Sequence, residues 1–320
     1  MLPGGKSCQA RQVGEACQVQ RGVVKRGGRA TKGIILQLCM LVVPACQSTR
    51  APPPPTPSSQ PMLPTAAQVR YAASVATRAF MLAADPYKEE LLPSLLPQMC
   101  LNRYYVAEGV RAYSQETWCL VVGDAGRDWV ARCAPQVVSY YVEQSKADNH
   151  AVREAACECI GELLAKVDHV AVLPHVARLL RALLSCFRDA SWPVRDAACL
   201  ACGSGVLAFP EESREHLERL YSLWFSHLWD NIPSVREDSA VALGNAIRAY
   251  RQEATDRVVA AVREMLPRAK EQPPDSRQFV EVVPAAGRAP PLGQAMFSGG
   301  SLSAKLQRSR DCCIDGGFAR

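Results

Sequence analysis

Cys199 and Cys202 form a C-x-x-C inside the stretch ACLACG, the spacing of half a zinc site. A tetrahedral zinc site needs four ligands, ordinarily two such pairs. The other close pairs do not supply the second half: Cys157/Cys159 has the wrong spacing, and Cys312/Cys313 sits in a tail. The five histidines, His150, His169, His175, His216 and His227, show no H-E-x-x-H or other ligand spacing, and His175 and His216, in first helices, are expected in solvated or capping roles. GDAGRD, Gly123 to Asp128, is a connector rather than a phosphate-cradling loop. There is no G-x-S-x-G, and no Cys/His arrangement for nucleophilic catalysis. These residues predict no catalytic residue, no metal, no cofactor and no small-molecule substrate.

The cysteine-bearing stretch has another origin, which is recurrence. SWPVRDAACLACG contains Val-Arg, and so do AAQVRYAASVATRAF, VAEGVRAYSQETWCLV, NHAVREAACECIGELL and IPSVREDSAVALGNAI. The arginines are Arg70, Arg111, Arg153, Arg195 and Arg236, spaced 41, 42, 42 and 41 residues apart. Three residues after each arginine stands Ala73, Ser114, Ala156, Ala198 or Ser239; eight after it stand Gly161, Gly203 and Gly244. Small residues recur where two helices must approach closely. Cys199 and Cys202 align with Cys157 and Ile160, core columns, so both cysteines read as small buried hydrophobes.

A period near 42 fits two helices of about 15 residues plus turns. LPHVARLLRALLSCF, Leu173 to Phe187, is the clearest first helix, with Leu173, Val176, Leu180, Leu183, Leu184 and Phe187 on one broad face. Pro193 and Pro233 fall in the turn before the second helix, where a fixed φ and a missing donor do no harm. Acid-containing turns precede the Val-Arg, led by Asp148, Asp189 and Asp230.

This pattern resembles the HEAT-repeat family, the helical-hairpin solenoids related to armadillo repeats; the resemblance covers about 64–271. It implies an all-α fold, a right-handed superhelical solenoid of about four to five hairpins between disordered tails. It also implies a ladder in which turn aspartates and second-helix arginines bridge within and between repeats. Asp148, Asp189 and Asp230 would then pair with Arg153, Arg195 and Arg236. The repeat at Arg111 has Asn102 in the acid's place, and that at Arg70 lacks a visible first helix. Stacking is required on physical grounds as well, because one hairpin cannot cover its own apolar face. After Arg236, EATDRVVAAVREMLPRAKE aligns Val258, Val259, Val262 and Leu266 on one face, as a terminal cap or the first half of a further repeat. No Val-Arg follows at the next position, since Ser276 precedes Arg277; the array reads as cut at both ends, as in a short isoform or a piece of a longer solenoid.

Outside the repeats, residues 1–63 are basic and Pro-rich, ending in APPPPTPSSQPMLP, and 272–320 return to Pro, Gly and Ser; both are expected to be disordered. Residues 1–84 hold ten Lys/Arg and one acid, Glu15, leaving 27 basic and 30 acidic residues beyond them. The repeats themselves are thus close to neutral and carry no strong nucleic-acid signature. No run reaches the ~20 apolar residues of a membrane span. GIILQLCMLVVPAC, within 1–48, has the length of a signal-peptide core, and it leaves organelle targeting or secretion as alternatives to the cytoplasmic location expected of so many reduced thiols.

The functional expectation is a non-enzymatic scaffold that holds a protein or extended peptide along the second-helix face. Its candidate contacts lie five and nine residues after the ladder arginines and are expected to point away from the core: Glu116, Glu158, Glu162, Ser204 and Asn245. Their acidic lean favours a basic partner. The alternatives are polyanion binding through the basic N-terminal tail and a non-catalytic subunit of a larger enzyme complex.

Overall fold

The structure, a computed structural model, describes residues 65–271. The readings made for 1–63 and 272–320, the leader and Cys312/Cys313 among them, lie outside the described residues. The fold is an all-α solenoid, with no strand among the described residues. It divides into two compact units, one ending at Val122 and the other beginning at Gly123.

In the first unit α1 (Ala66–Ala83) opens on a capping box: the Gln68 N–H donates to Thr65 Oγ1, and the Thr65 N–H donates to Gln68 Oε1. Helix α2 (Lys88–Asn102) is the first helix of a hairpin and carries Pro93 and Pro97 inside it. Helix α3 (Glu108–Val121) is its second helix and stacks on α1. The core beneath is Leu92, Leu96, Leu101 and Trp118, with the Arg103 guanidinium 4.4 Å over the Trp118 ring.

The second unit repeats the hairpin three times and begins a fourth. Its first helices are broken near their starts. The pieces are α4 (Gly126–Arg132) with α5 (Ala134–Gln144), then α7 (His169–Val172) with α8 (Val176–Cys186), then α10 (Pro210–Ser213) with α11 (Leu217–His227). Their second helices are α6 (His150–Lys166), α9 (Trp192–Ala208) and α12 (Pro233–Tyr250). The last hairpin begins with α13 (Gln252–Met265) and a 3-10 turn, Leu266–Glu271.

The expected continuous helix from Leu173 to Phe187 is corrected by this break. Pro174 lacks the N–H that would extend α7, so Leu173–His175 forms a 3-10 turn and Leu173 is left exposed. Val176, Leu180, Leu183, Leu184 and Phe187 are buried as one face. Each such side chain contributes about 1.5–3 kcal/mol relative to exposure. The stretch His169–Cys186 has the length and hydropathy of a membrane span, but its apolar side is used up in this core while Arg178 and Arg181 are exposed.

Second helices stack through small residues. The Cβ position of Gly161 lies 3.2 Å from Ala201 Cα, and that of Gly203 lies 2.9 Å from Ala242 Cα. At that distance a methyl on Gly203 would overlap backbone, so glycine sets how closely α9 and α12 approach. Cys199 and Cys202 are fully buried in the same layer, Cys199 Sγ standing 3.4 Å from Ser239 Oγ. Burial pushes the Cys202 thiol well above its usual range.

Candidate functional site

The ladder runs along the turns that lead into the second helices. Arg153 Nε and Nη2 donate to Asp189 Oδ2 and Oδ1 at 2.7 and 2.9 Å. Arg195 donates in the same way to Asp230, both bonds at 3.1 Å. The remaining nitrogen of each fork turns back to its own hairpin and meets only backbone. Arg153 Nη1 donates to the carbonyls of Ala147 and Asp148, Arg195 Nη1 to that of Asp189, and Arg236 Nη1 to that of Asp230.

The expected pairs Asp189–Arg195 and Asp230–Arg236 are therefore corrected by one repeat, each carboxylate belonging to the arginine before it, and Asp148 meets Arg153 through its carbonyl. The reason is reach. The position six residues before an arginine faces the preceding second helix with its side chain and its own arginine with its carbonyl. Asp189 and Asp230 occupy that position; Asp148 is one residue late, and Ala147 stands there instead.

The first unit builds its rung from other chemistry. Arg70, buried, donates from Nη1 to Asn102 Oδ1 at 2.9 Å and lies 4.7 Å over the ring of Tyr105, the residue six before Arg111. Asn102 thus serves the arginine before it, and a ring face takes the place of a carboxylate. Arg111 pairs with its own-helix neighbour Glu108 at 3.8 Å.

Electrostatics follow this geometry. Burial alone would raise the Asp189 carboxyl, but the Arg153 hydrogen bonds, the Ser191 N–H and the Arg153 charge together hold it below the usual carboxylate range. His227 is buried beside Phe187, with ring centroids 5.2 Å apart. Burial lowers its pKa, and the Arg195 charge adds to that against the opposing pull of Asp230. His169 stacks on Phe209 at 4.2 Å, a packing role that periodicity did not show.

The five candidate contacts do not form one exposed strip. Glu116 is exposed but bonded to Arg78 at 2.9 Å, whose guanidinium lies 3.5 Å over Tyr113. Glu158 and Ser204 are half-buried. Glu162 and Asn245 are buried, a correction to their expected outward direction. The ninth position after the arginine lies in the seam between second helices: the Asn245 amide stands 3.3 Å from the Gly203 Cβ position and its Oδ1 accepts from Arg248.

Exposure on the outer side of the second helices is uneven: Val241 is exposed, while Glu154, Glu158, Leu200 and Glu237 are half-buried. The fifth position after the arginine carries Glu158, Leu200 and Val241 along α6, α9 and α12, and the first carries Glu154 and Glu237 on α6 and α12. Trp192 and Leu207 are exposed at the two ends of α9. This is a shallow surface of carboxylates interleaved with apolar side chains.

Two other places were candidates for chemistry. A cleft of about 360 Å³, counted to its solvent mouth, lies among α1, α2 and α3, lined by Ser74, Thr77, Gln98, Asn102, Ser114 and Thr117 with apolar neighbours. Ser114 Oγ is buried there without a partner, which suits an ordered water. The named polar groups are hydroxyls and amides, none of which titrates near neutrality. Among the described residues no three His, Cys, Asp or Glu side chains are placed to hold a metal ion.

The comparison with curated proteins finds no match. The family model of the HEAT-like repeat matches residues 150–204, which span α6, α8 and most of α9. Repeats of this kind commonly mediate protein–protein contacts. Over that stretch the chain is similar to a HEAT-like repeat, as the Val-Arg period implied, and there the Arg153–Asp189 rung and the Gly161–Ala201 contact join α6 to the hairpin that follows.

Proposed function

We propose that the chain is a non-enzymatic interaction scaffold and that the second-helix surface of the unit beginning at Gly123 holds a basic, amphipathic protein segment. One observation carries the reading: Glu158, Leu200 and Val241 hold the same register position on α6, α9 and α12, with Glu154 and Glu237 one helical turn before it on α6 and α12, Val241 exposed and the others half-buried. The carboxylates would steer a cationic segment, and Leu200 and Val241 would bury its opposite face. A cytoplasmic location is part of the proposal. Eight described cysteines are free thiols, seven of them buried, a usage that suits a reducing compartment.

The test is a screen of displayed helical peptides against the purified chain, followed by fluorescence anisotropy on a selected binder. Exchanging Glu158 and Glu237 for Lys together should weaken binding at least tenfold and flatten its dependence on salt. Val241→Asp should weaken it comparably without changing the melting temperature. Binders indifferent to all three changes would reject this surface.

A further inference from the structure

Helix α8 carries unbalanced charge on its outer side. From His169 to Arg188 the chain holds Arg178, Arg181 and Arg188 and no Asp or Glu. All three arginines are exposed, as is Ser185. Arg178, Arg181 and Ser185 fall within about 60° of helical arc. Arg188, in the turn that ends the helix, continues their spacing. At a helical rise the stripe from Arg178 to Arg188 is about 15 Å long. The opposite face, Val176, Leu180, Leu183, Leu184 and Phe187, is buried in the core, so α8 has no apolar side left for lipid.

Two other exposed arginines of the first-helix layer are neutralised across it. Arg214 donates to both oxygens of Glu253 at 3.3 Å, and Arg257 donates to Glu218 at 2.5 Å, each pair 39 residues apart in the chain. Arg178 reaches across the same 39 residues and meets Ser139 Oγ at 3.4 Å, a hydroxyl in place of a carboxylate. Arg181 donates to the Ala177 carbonyl of its own helix at 3.1 Å. Among the described residues Arg178, Arg181 and Arg188 meet no carboxylate. Arg178 and Arg181, one turn apart, repel each other, and an anion lying across both forks removes that repulsion.

The flanking first helices narrow the choice of anion. Glu143 on α5 and Glu211 and Glu215 ahead of α11 are exposed carboxylates. Packed helices lie about 8–10 Å apart, close to one Debye length at physiological salt. A bilayer or a nucleic-acid duplex is broad enough to carry its own charge over those carboxylates. A single chain segment laid along α8 avoids them. We infer that Arg178, Arg181 and Arg188 form a docking stripe for an Asp- and Glu-rich protein segment, separate from the second-helix surface and opposite to it in charge. The planar guanidinium forks suit carboxylates, which they take bidentately.

Fluorescence anisotropy of a labelled oligo-glutamate peptide titrated with the full chain tests this. Arg178→Gln with Arg181→Gln should weaken binding roughly tenfold, and Arg188→Glu alone roughly threefold. Arg219→Gln with Arg263→Gln removes the same charge as the first pair from exposed positions outside the stripe, and should leave the affinity within roughly twofold. All of these side chains are exposed, so the melting temperature should not move. Absence of binding by the unaltered chain would overturn the proposal, as would equal losses in the two double variants. Tighter binding to phosphatidylserine vesicles or to a short DNA duplex, lost in the stripe double, would overturn it and assign the stripe to lipid or nucleic acid. Self-association that the stripe double abolishes would overturn it in favour of a second copy.

Discussion

The Arg195 guanidinium reaches forward 35 residues to Asp230 and grips both carboxylate oxygens, while its third nitrogen holds the carbonyl of Asp189 behind it. One side chain therefore joins two successive turns. Arg195→Ala should strand Asp230, whose side chain is 10% exposed, and destabilise the chain by about 3 kcal/mol in urea unfolding. Arg153→Ala should act alike through Asp189. Adding Asp230→Asn to Arg195→Ala should recover part of the loss, because no unpaired charge then remains.

Close approach makes Gly203 the most sensitive glycine. A methyl there would stand 2.9 Å from Ala242 Cα, which is backbone and cannot rotate away. Gly203→Ala should lower stability by about 1–3 kcal/mol despite the better helix propensity of alanine. Gly161→Ala, with 3.2 Å available, should lose less. Equal midpoints in a denaturant titration would contradict the contact.

His227 gives the fold a pH dependence near neutrality. Its folded pKa is lowered, chiefly by burial, so the unfolded chain binds this proton more readily. Its contribution is complete above the unfolded value of about 6.5 and declines as pH falls below that value. Thermal scans from pH 7.5 to 5 should show a falling melting temperature, and His227→Phe should shallow that slope.

Asp189 acts lower on the scale. Its folded pKa is depressed, so its stabilisation is present above about 4 and lost as pH falls through the folded value. Asp189→Asn should remove part of the acid-unfolding slope below pH 5, measured by far-UV circular dichroism.

Arg251 is the one described non-glycine residue with positive φ, at 54° and ψ −122°, and it alone links α12 to α13. That region strains any residue with a Cβ by about 1–3 kcal/mol. Arg251→Gly should raise stability by about 1 kcal/mol after the entropy of glycine in the unfolded chain is offset. A drop in the melting temperature would show that the arginine side chain supplies compensating contacts.

Much of this was legible in the residues because a period is a one-dimensional signal. The Val-Arg spacing located α1, α3, α6, α9 and α12, and the small columns at the third and eighth positions marked where helices meet. The ladder's direction was not legible. Whether an aspartate serves the arginine ahead or behind depends on which way a turn side chain projects, and Asp148 looks like a ladder acid until Ala147 is seen to occupy the facing position. The Tyr105 rung escaped for a related reason, since its partner is a ring face and carries no charge. Glu162 and Asn245 were misplaced because a helix with neighbours on two sides has a narrow outer face. Polarity marks an exposed residue only when the seam between second helices is known.

The Gly203–Ala242 contact and the Arg195–Asp230 rung recur at one translation of the chain, as Gly161–Ala201 and Arg153–Asp189. Removing or duplicating a block of 41 or 42 residues in this unit would return each surviving neighbour to an equivalent neighbour. An insertion of any other length would put glycine against a bulky side chain and guanidinium against alanine. Length variants of this array are therefore expected to come in whole steps of one hairpin, with junctions free to fall anywhere in the period.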